Sequence, residues 1–334
     1  RAKGHRNDHV ADDSNYRQVY YERPDEATLE THIARLRRDN PYLDSVEEML
    51  AAHDVAGTTL PSGEWPELKL GKVDMRMKQL RQFTQRTLES EYPYVILDAR
   101  YERVREEGHI VHRAILVALG IDWEGRRQVL AVEYAPRESH NCWKEFLLGL
   151  KQRGLHGVRL VVSDDHPGLK AAVREVLTEA WWQRCYVHFL RNALDYLPRK
   201  ADDDCLQELR WMYERRDREE ARRDLQFWLE KWASKYPRLC EWVEANIEET
   251  WTYYRLPLAH HKHLKSTNLL ERFNQEIKRR TLVVRIFPDE ASCLRLIRAL
   301  AVETHEEWLA GSRYLNMDLF KEQVKKAPAL AVAA

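Results

Sequence analysis

The sequence predicts a mixed α/β core that is interrupted by an all-helical segment. Two short apolar runs each end in an acidic residue, at Asp98 and at Asp164, as buried strands often do. Helical patterns alternate with strand patterns around these runs. From His188 to Lys262 strand patterns disappear, and apolar residues recur at helical spacing instead. These three observations define the predicted fold class.

The composition gives no overall basic character. The chain has 334 residues, with 54 Lys and Arg against 54 Asp and Glu, so nucleic-acid binding would have to rest on local patches. One such patch runs from Lys262 to Arg285, although a solvated helix face is the usual explanation of a charge run. Five scattered cysteines favour reduced thiols, and with no signal peptide or long apolar span visible we expect a soluble intracellular protein.

The domain organisation follows from these changes of pattern. We expect a flexible arm over residues 1–23, a helical region over 24–90, the first part of the core over 91–190, an all-helical insertion over 191–262, the second part of the core over 263–320 and a tail over 321–334. The helical region is a candidate DNA-reading module, but it contains no clear helix-turn-helix pattern.

The predicted core elements come in the order strand, hairpin, helix, strand, helix, strand. Their predicted bounds are 92–98 for the first strand, 109–121 and 127–134 for the hairpin with its turn at 122–125, 141–153 for the first helix, 158–164 for the next strand, a helix opened by Pro167 and Gly168, and 182–187 for the fifth strand.

A further helix begins near Asn268. Asn268 is a good N-cap, Glu271 stands three residues later as in a capping box, and the helix ends in three basic residues. Capping alone would explain Glu271, because a carboxylate near a helix N-terminus contributes about 0.3–1 kcal/mol.

The three acidic residues Asp98, Asp164 and Glu271 are also candidates for one site. If the two apolar strands are neighbours, their carboxylates converge, and an acid from a helix packed on the sheet completes an all-oxygen site suited to two Mg²⁺ or Mn²⁺ ions. Each aspartate by itself is equally well explained as the cap of the following turn. Spacing alone leaves the two interpretations even.

Four segments of the chain resemble the Mutator-type transposases of bacterial insertion sequences. They are residues 97–101, 162–170, 183–192 and 266–280, and the similarity extends from about Tyr92 to Tyr314. The resemblance implies an RNase H-like core with an all-helical insertion, and an Asp-Asp-Glu triad on Asp98, Asp164 and Glu271. Asp165 stands where the family has a small residue; strand alternation and the family pattern both favour Asp164 as the ligand.

The resemblance also implies a function. It indicates a DNA transposase that uses two Mg²⁺ or Mn²⁺ ions, binds the element ends and target DNA, and works as a homodimer or higher oligomer in the bacterial cytoplasm, associated with the nucleoid and without a membrane. The alternatives are an RNase H-like nuclease or resolvase that cuts without joining, and a non-catalytic DNA-binding relic of a transposase.

Several other residues are candidates for secondary roles. We expect DNA contacts from Lys265, Arg272, Lys278, Arg279 and Arg280, and supporting roles for Cys185, His188, Asn268 and His166. The C-x-x-H spacing of Cys185 and His188 is half of a zinc site, with His260, His261 and His263 as the weaker second half; a role without zinc is preferred. One of five tryptophans is a candidate to stack on a flipped base, namely Trp211, Trp228, Trp232, Trp242 or Trp251.

Overall fold

The computed structural model describes residues 70–198 and 204–331, with side chains from 78 to 198 and from 204 to 326. Helix α1 spans Leu70–Gln85, and Gln79–Ala334 form one compact unit. The arm predicted over residues 1–23, and residues 24–69 of the predicted helical region, lie outside the described residues. Within the described residues, no helix combines the length and the apolar character that a membrane span requires.

A five-stranded mixed sheet forms the centre of this unit, which confirms the predicted α/β class. The strands are β1 (Tyr94–Glu106), β2 (His109–Ile121), β3 (Arg127–Ala135), β4 (Leu160–Ser163) and β5 (Trp181–Arg184). Their order across the sheet is β3-β2-β1-β4-β5. Strands β1, β2 and β3 are antiparallel, whereas β4 runs parallel to both β1 and β5. The predicted hairpin is therefore β2 and β3, with the turn where the sequence placed it.

Two strand ends differ from the predicted ones by three residues or more. Strand β1 does not end at Asp98 but continues to Glu106, because β2 pairs with it along its whole length. The chain turns from β1 into β2 at Glu107 and Gly108, both of which have a positive φ. Strand β5 ends at Arg184 rather than at residue 187. Its chain turns at Cys185, which is the N-cap of the following helix. Asp98 consequently lies within a strand, at the level where the short parallel neighbour β4 ends.

Ten further α-helices follow α1 in the described residues. They are α2 (His140–Gln152), α3 (Pro167–Val176), α4 (Tyr186–Ala193), α5 (Cys205–Trp211), α6 (Arg218–Trp232), α7 (Pro237–Asn246), α8 (Leu258–Leu264), α9 (Asn268–Thr281), α10 (Glu290–Ala310) and α11 (Asp318–Ala331). The tail predicted from residue 321 is therefore helical as far as Ala331. This helix is held against the sheet by Phe320, which lies near the start of α11, is almost fully buried and packs against Tyr94 of β1.

The sheet carries helices on both faces. Val95 and Leu97 belong to a core that includes side chains of α2 and α3. On the opposite face of β1, the Tyr94 hydroxyl shares a hydrogen bond with Nδ1 of His260 in α8 (2.8 Å), and the Tyr94 ring packs against Phe320. A second core, in which seven of the eighteen buried residues are aromatic, joins helices α4 to α7. The apolar residues that recur at helical spacing after His188 thus bury one another rather than extend the sheet.

The turn between β2 and β3 depends on a glycine that touches another part of the chain. The Gly125 carbonyl accepts hydrogen bonds from the backbone N–H groups of Tyr314 (2.7 Å) and Leu315 (3.2 Å). Its φ is +76°, and a Cβ atom there would lie 1.8 Å from the Leu315 carbonyl oxygen. A side chain at this position is excluded by the backbone angle and by the neighbouring segment at the same time.

We expect Gly125→Ala to destabilise the protein much more than Gly108→Ala. Gly108 also has a positive φ (+81°), but a Cβ atom there meets nothing within 4 Å, so it isolates the conformational cost of about 1 kcal/mol. Gly125→Ala adds a backbone clash, and we expect a loss of about 3 kcal/mol or more in the free energy of unfolding. Urea unfolding of the two variants measures the difference, and equal losses would contradict the proposed contact with Leu315.

Candidate active site

Asp98 and Asp164 lie side by side at the edge where β4 ends. In the parallel pairing of β1 with β4, Ile96 stands opposite Val162. Extending this register by two residues places Asp98 opposite Asp164, which directly follows the last residue of β4. The expectation that the two acid-bearing strands are neighbours is confirmed, and the charge of Asp164 acts on the pKa of Asp98.

Asp98 is largely enclosed, and its carboxyl group is held on both oxygens. Oδ1 accepts a hydrogen bond from the backbone N–H of Ala99, and Oδ2 accepts one from the side-chain amide of Asn274 on α9, each at 2.9 Å. Burial raises the pKa of Asp98 to about 7; the positive charge of His188 opposes this rise, and the negative charge of Asp164 adds to it. A nearby cation would stabilise the ionised form of this group.

Glu271 lies on helix α9, one turn before Asn274. The Asn274 side chain binds Asp98, and its backbone carbonyl accepts a hydrogen bond from Arg100 of β1, so this part of α9 is fastened to the strand. The Oε1 atom of Glu271 is buried and has no hydrogen-bond partner. A buried polar atom left unpaired is unfavourable by about 1–3 kcal/mol, and a bound cation would remove that penalty.

The capping explanation of Glu271 is wrong. Helix α9 begins with Asn268, and its N-cap is Thr267, whose side chain makes no capping hydrogen bond. The Thr267 hydroxyl donates instead to the sulfur of Cys185, at 3.4 Å. Glu271 is therefore the fourth residue of the helix, one position beyond that of a capping box, and Asn268 is not the cap. Asn268 is not the cap because the helix starts one residue earlier, where the Thr267 carbonyl already accepts a hydrogen bond from the Glu271 N–H at 2.9 Å.

Cys185 and His188 form a polar pair next to the two aspartates. The Cys185 sulfur accepts hydrogen bonds from the backbone N–H and the hydroxyl of Thr267, each at 3.4 Å. Burial would raise the pKa of the Cys185 thiol, but hydrogen bonds from His188 and Thr267 outweigh it and lower the pKa. The hydrogen bond with Cys185 raises the pKa of His188 to about 9, against the effect of burial, and Asp98 and Asp164 raise it further.

The histidines that were weighed as a second half of a zinc site are engaged elsewhere. His260 hydrogen-bonds Tyr94 through Nδ1 and the Asn316 carbonyl through Nε2, and Nε2 of His261 bonds the Leu256 carbonyl. Among residues 70–198 and 204–331, no group of three or more His, Cys, Asp or Glu side chains is placed so that it could hold a metal ion as it stands. The oxygen-only donor set of the three acids nevertheless suits Mg²⁺ or Mn²⁺, and the unpaired Glu271 oxygen fits a cation.

Asp165 serves a different purpose from its neighbour Asp164. Its carboxylate pairs with Arg184, at 2.8 Å, and with Lys170, at 3.4 Å. Arg184 is 2% exposed, so its charge depends on this partner. Lys170 also pairs with Glu249, which ties the core to the helical segment. Because two cations already compensate Asp165, these contacts support Asp164 as the acid that is available to a ligand.

Glu138 is a fourth carboxylate at this edge that sequence reasoning missed. Its Oε1 accepts a hydrogen bond from Trp143 (3.1 Å) and lies 3.6 Å from Nδ1 of His166. Burial raises its pKa, and the charge of Asp164 raises it further. Gly168 makes this approach possible, since a Cβ atom there would lie 2.6 Å from the backbone nitrogen of His140. The sequence signal that could have identified Glu138 is its position between a strand and the helix that follows, which is also the position of Asp164.

His166 supports the site through the backbone. Its Nδ1 accepts a hydrogen bond from the Leu169 N–H (3.3 Å), and His166 is therefore the N-cap of α3. Its own N–H donates to Asp164 Oδ1 at 3.2 Å. These two bonds fix the loop that carries Asp164, which agrees with the supporting role predicted for His166.

The five predicted DNA-binding cations have different surroundings. Lys265 is buried and donates to the Tyr213 carbonyl (3.0 Å) and to Glu214 (2.7 Å), which contradicts its assignment to a DNA surface. The pattern of charges in the sequence could not reveal this burial. The other four lie on α9: Arg272 and Lys278 are exposed, whereas Arg279 and Arg280 pair with Glu276.

The tryptophans of the helical segment divide into one exposed residue and four core residues. Trp211 is 49% exposed, whereas Trp228, Trp232 and Trp251 are buried. Trp242 stacks on Phe189 and Tyr196, with ring centroids 4.7 and 5.1 Å apart. The hypothesis of a base-stacking tryptophan therefore rests on Trp211.

The chain is thus an α/β protein with a group of carboxylates at the end of a short parallel strand. It belongs to the Mutator family of transposases, because the family model described as "Transposase, Mutator family" matches residues 72–311. The chain is 64% identical over 259 residues to the transposase of insertion sequence element ISRM5 from Rhizobium meliloti (strain 1021), a match that covers 77% of this chain and 65% of that protein.

Two further relatives extend this similarity. The chain is 46% identical to the transposase of IS406 from Burkholderia multivorans, over 72% of this chain and 62% of the relative. It is 37% identical to the transposase of IS256 in transposon Tn4001 from Staphylococcus aureus, over 69% of this chain and 60% of the relative. The chain therefore spans less than two thirds of the length of these three relatives.

Solved structures give only a distant match. The Mos1 strand transfer complex is 15% identical, with a TM-score of 0.19, over 46% of this chain and 56% of that one. The Mos1 transposase paired-end complex with the left transposon end is 14% identical, with a TM-score of 0.20, over 67% and 79%. Similarity at this level does not establish a shared fold.

The contrast between Asp164 and Asp165 gives a direct prediction. We expect Asp165→Asn to lower the free energy of unfolding by about 2–4 kcal/mol, because it leaves the buried Arg184 without its nearest carboxylate. We expect Asp164→Asn to leave stability unchanged or to raise it, because it removes repulsion with Asp98 and Glu138. Urea unfolding without divalent ions measures both, and similar losses in the two variants would contradict the division of roles.

The raised pKa of Asp98 predicts a pH-dependent stability. Its folded-state pKa of about 7 lies above the ordinary value of 3.8, so its favourable contribution is complete below about pH 4 and is lost as the pH rises through 7. We expect Asp98→Asn to raise the melting temperature at pH 8 in EDTA, by an amount equivalent to about 1–3 kcal/mol, and to have little effect at pH 4.

The exposed carboxyl of Asp195 is the matched control for this experiment. Asp195→Asn is expected to leave the melting temperature unchanged at both pH values. An Asp98→Asn variant that is equally destabilised at pH 8 and at pH 4 would show that the Asp98 carboxylate is compensated in the metal-free protein.

Proposed function

We propose that this chain is a DNA transposase that cuts a phosphodiester at the end of an insertion sequence and joins the freed 3′-hydroxyl to target DNA. The observation that carries the proposal is the meeting of Asp98, Asp164 and the Glu271 helix at one edge of the sheet, with a buried, unpaired oxygen on Glu271. Membership of a family whose relatives are named as transposases of insertion sequences supports it.

The three acids would hold two Mg²⁺ or Mn²⁺ ions. Carboxylate oxygens are the ligands that these ions prefer, and divalent charge would offset the burial of Asp98 and the unpaired oxygen of Glu271. When bound, such ions activate a water or sugar hydroxyl and stabilise the leaving oxygen of a phosphodiester. Glu138, beside Asp164, adds negative charge to the same edge.

Other residues of the chain hold these groups in place. Arg100 and Asn274 fasten α9 to β1, so the position of Glu271 follows that of Asp98. His188, whose pKa is raised to about 9, keeps its proton at neutral pH and offsets part of the charge of the two aspartates. Lys278, Arg279 and Arg280 follow Glu271 on its own helix and are proposed to contact DNA phosphates near the reacting bond.

The proposed reaction has two steps of the same kind. In the first step the oxygen of a water molecule bonds to the phosphorus at the element end, and the bond to the 3′-oxygen breaks, which leaves a 3′-hydroxyl and a 5′-phosphate. In the second step that 3′-oxygen bonds to a phosphorus of the target DNA, whose own 3′-oxygen leaves. No covalent protein intermediate is required. Because two DNA ends are brought together, we propose that a dimer or a higher oligomer acts.

Strand joining tests the proposal. The full chain is incubated with Mg²⁺ or Mn²⁺, a DNA that carries a candidate element end, and a plasmid target. We expect joined products, and we expect Glu271→Gln to reduce their rate by about 100-fold or more, since loss of one carboxylate ligand removes about 3 kcal/mol or more of transition-state stabilisation. Glu290→Gln, an exposed acid at the start of α10, is the matched control and is expected to join at the normal rate.

The other outcomes separate the alternatives. Cutting without joining would favour a nuclease or resolvase. Tight DNA binding without chemistry, in the wild-type chain and in Glu271→Gln alike, would favour a non-catalytic relic. Joining that survives Glu271→Gln would remove Glu271 from the site.

A further inference from the structure

The turn that follows helix α9 exposes a run of apolar side chains. Leu282, Val283 and Val284 are 69%, 84% and 38% exposed, and Val283 is the most exposed large hydrophobic residue in the part of the chain that the structure describes. Three consecutive apolar residues on a surface are unfavourable in water unless another molecule covers them. We refer to residues 282–285 as the apolar turn.

The apolar turn is held in place by the backbone on both sides. The N–H groups of Val284 and Arg285 donate to the Thr281 carbonyl, at 3.0 and 3.1 Å. Two residues beyond the turn, Phe287 is buried and pairs with β1, where its N–H donates to the Arg103 carbonyl at 2.8 Å. The apolar side chains are thus presented on a supported turn.

Arg285 adopts a left-handed backbone conformation within this turn. Its φ is +55°, and together with Glu107 it is one of two non-glycine residues with a positive φ among the described residues. Such a conformation is unfavourable by about 1–2 kcal/mol for a residue with a side chain, and strained residues of this kind concentrate at binding and catalytic sites. The conformation ends the helix sharply and leaves the preceding apolar residues at its tip.

The apolar turn continues the edge of α9 that carries Glu271. Leu282 follows Glu271 by eleven residues and still has helical backbone angles, and eleven residues of an α-helix return to within about 20° of the starting direction. Asn274 and Lys278 lie between them on the same edge. From Glu271 to Thr281 the helix rises about 15 Å, which equals the length of roughly four to five base pairs of duplex DNA.

The charges around the apolar turn favour DNA over a protein as the molecule that covers it. Between Arg272 and Phe287 the sequence contains five basic residues and a single acid, Glu276. Lys278 and Arg285 are exposed on either side of the apolar residues. An apolar surface within a strongly basic one suits a polyanion whose interior is apolar, and stacked base pairs between two phosphate backbones have this character.

We propose that the apolar turn is a wedge that inserts Leu282 and Val283 between base pairs of duplex DNA. It would act roughly four to five base pairs from the phosphate that lies at the three acids, which is the spacing along α9 given above. The flanking Lys278 and Arg285 bind the adjacent phosphates, and partial unstacking bends the duplex at this step. This inference rests on the proposed function, since it takes the carboxylate edge as the place of the reacting DNA.

Base unstacking tests the proposal without any chemistry. The wild-type chain is titrated in EDTA with duplexes of about 40 base pairs that carry the candidate element end and 2-aminopurine at successive positions, because this base becomes fluorescent when it loses its stacking partner. We expect the fluorescence to rise at one step. We expect Val283→Ser to abolish this rise and to weaken binding about tenfold, with an unchanged slope of log K against log salt, because the side chain carries no charge.

Leu319→Ser is the matched control. Leu319 is an apolar residue of α11 that is 56% exposed, and its substitution is expected to leave the affinity and the fluorescence unchanged. Because Val283 is itself exposed, thermal unfolding of Val283→Ser is expected to match that of the wild type, so a changed signal reports on DNA. Arg285→Ser is expected to lower the salt slope by about one.

Three results would overturn the proposal. The first is a wild-type complex in which no position gains fluorescence, and the second is a Val283→Ser complex that behaves as the wild type does. The third is a Val283→Ser variant that binds DNA normally but loses self-association in sedimentation, which would identify a second copy of the chain as the occupant. Because these measurements contain no metal ion, failure of strand joining would leave them unchanged and would count only against the proposed chemistry.

Discussion

The candidate site depends on the parallel pairing of β1 with β4. This short pairing sets Asp98 beside Asp164, and β4 ends at the same level, so the chain turns away and leaves the carboxylates at an edge. Every other group of the site takes its position from this pair. Asn274 binds Asp98, the His166 N–H binds Asp164, and Glu138 approaches through the contact of α2 with α3 that Gly168 allows. A shift of the register by one residue would separate the aspartates and turn one of them to the opposite face of the sheet.

The cations near this edge serve two separate purposes. Arg184 and Lys170 compensate Asp165 and, through Glu249, connect the sheet to the helical segment. His188, whose pKa is raised to about 9 chiefly by its hydrogen bond with Cys185, is the cation that opposes the rise in the pKa of Asp98. Arg184 and Lys170 are compensated by Asp165 and Glu249 within the protein. His188 offsets only part of the negative charge of the two aspartates, and the Oε1 atom of Glu271 has no hydrogen-bond partner. This imbalance supports the proposal that the edge binds divalent ions.

Helix α9 brings several kinds of chemistry into one line. Glu271, Asn274, Lys278 and Leu282 follow one another along a single edge of the helix, so a carboxylate, an amide that binds Asp98, a cation and an apolar side chain succeed each other over about 15 Å. A straight helix fixes the distances between them. Asn274, in the middle of the helix, binds Asp98, and Phe287, six residues beyond its end, pairs with β1. A duplex laid along this edge would meet the acids and the apolar turn together.

The sequence by itself determined the class of fold, the hairpin of β2 and β3, most helix positions and the family, because apolar periodicity and local motifs depend only on nearby residues. It also identified Asp98, Asp164 and Glu271 as candidates for one site. Only the tertiary structure decided the rest. The capping role of Asn268 was wrong because the helix begins one residue earlier, with Thr267 as its N-cap. The surface role of Lys265 was wrong because Tyr213 and Glu214, distant in sequence, bind its ammonium group. Likewise, the continuation of β1 beyond Asp98 follows from its pairing with β2, the ion pair of Asp165 follows from the position of Arg184, and the presence of Glu138 near Asp164 follows from the approach at Gly168. Those contacts join residues far apart along the chain, and no local pattern encodes them.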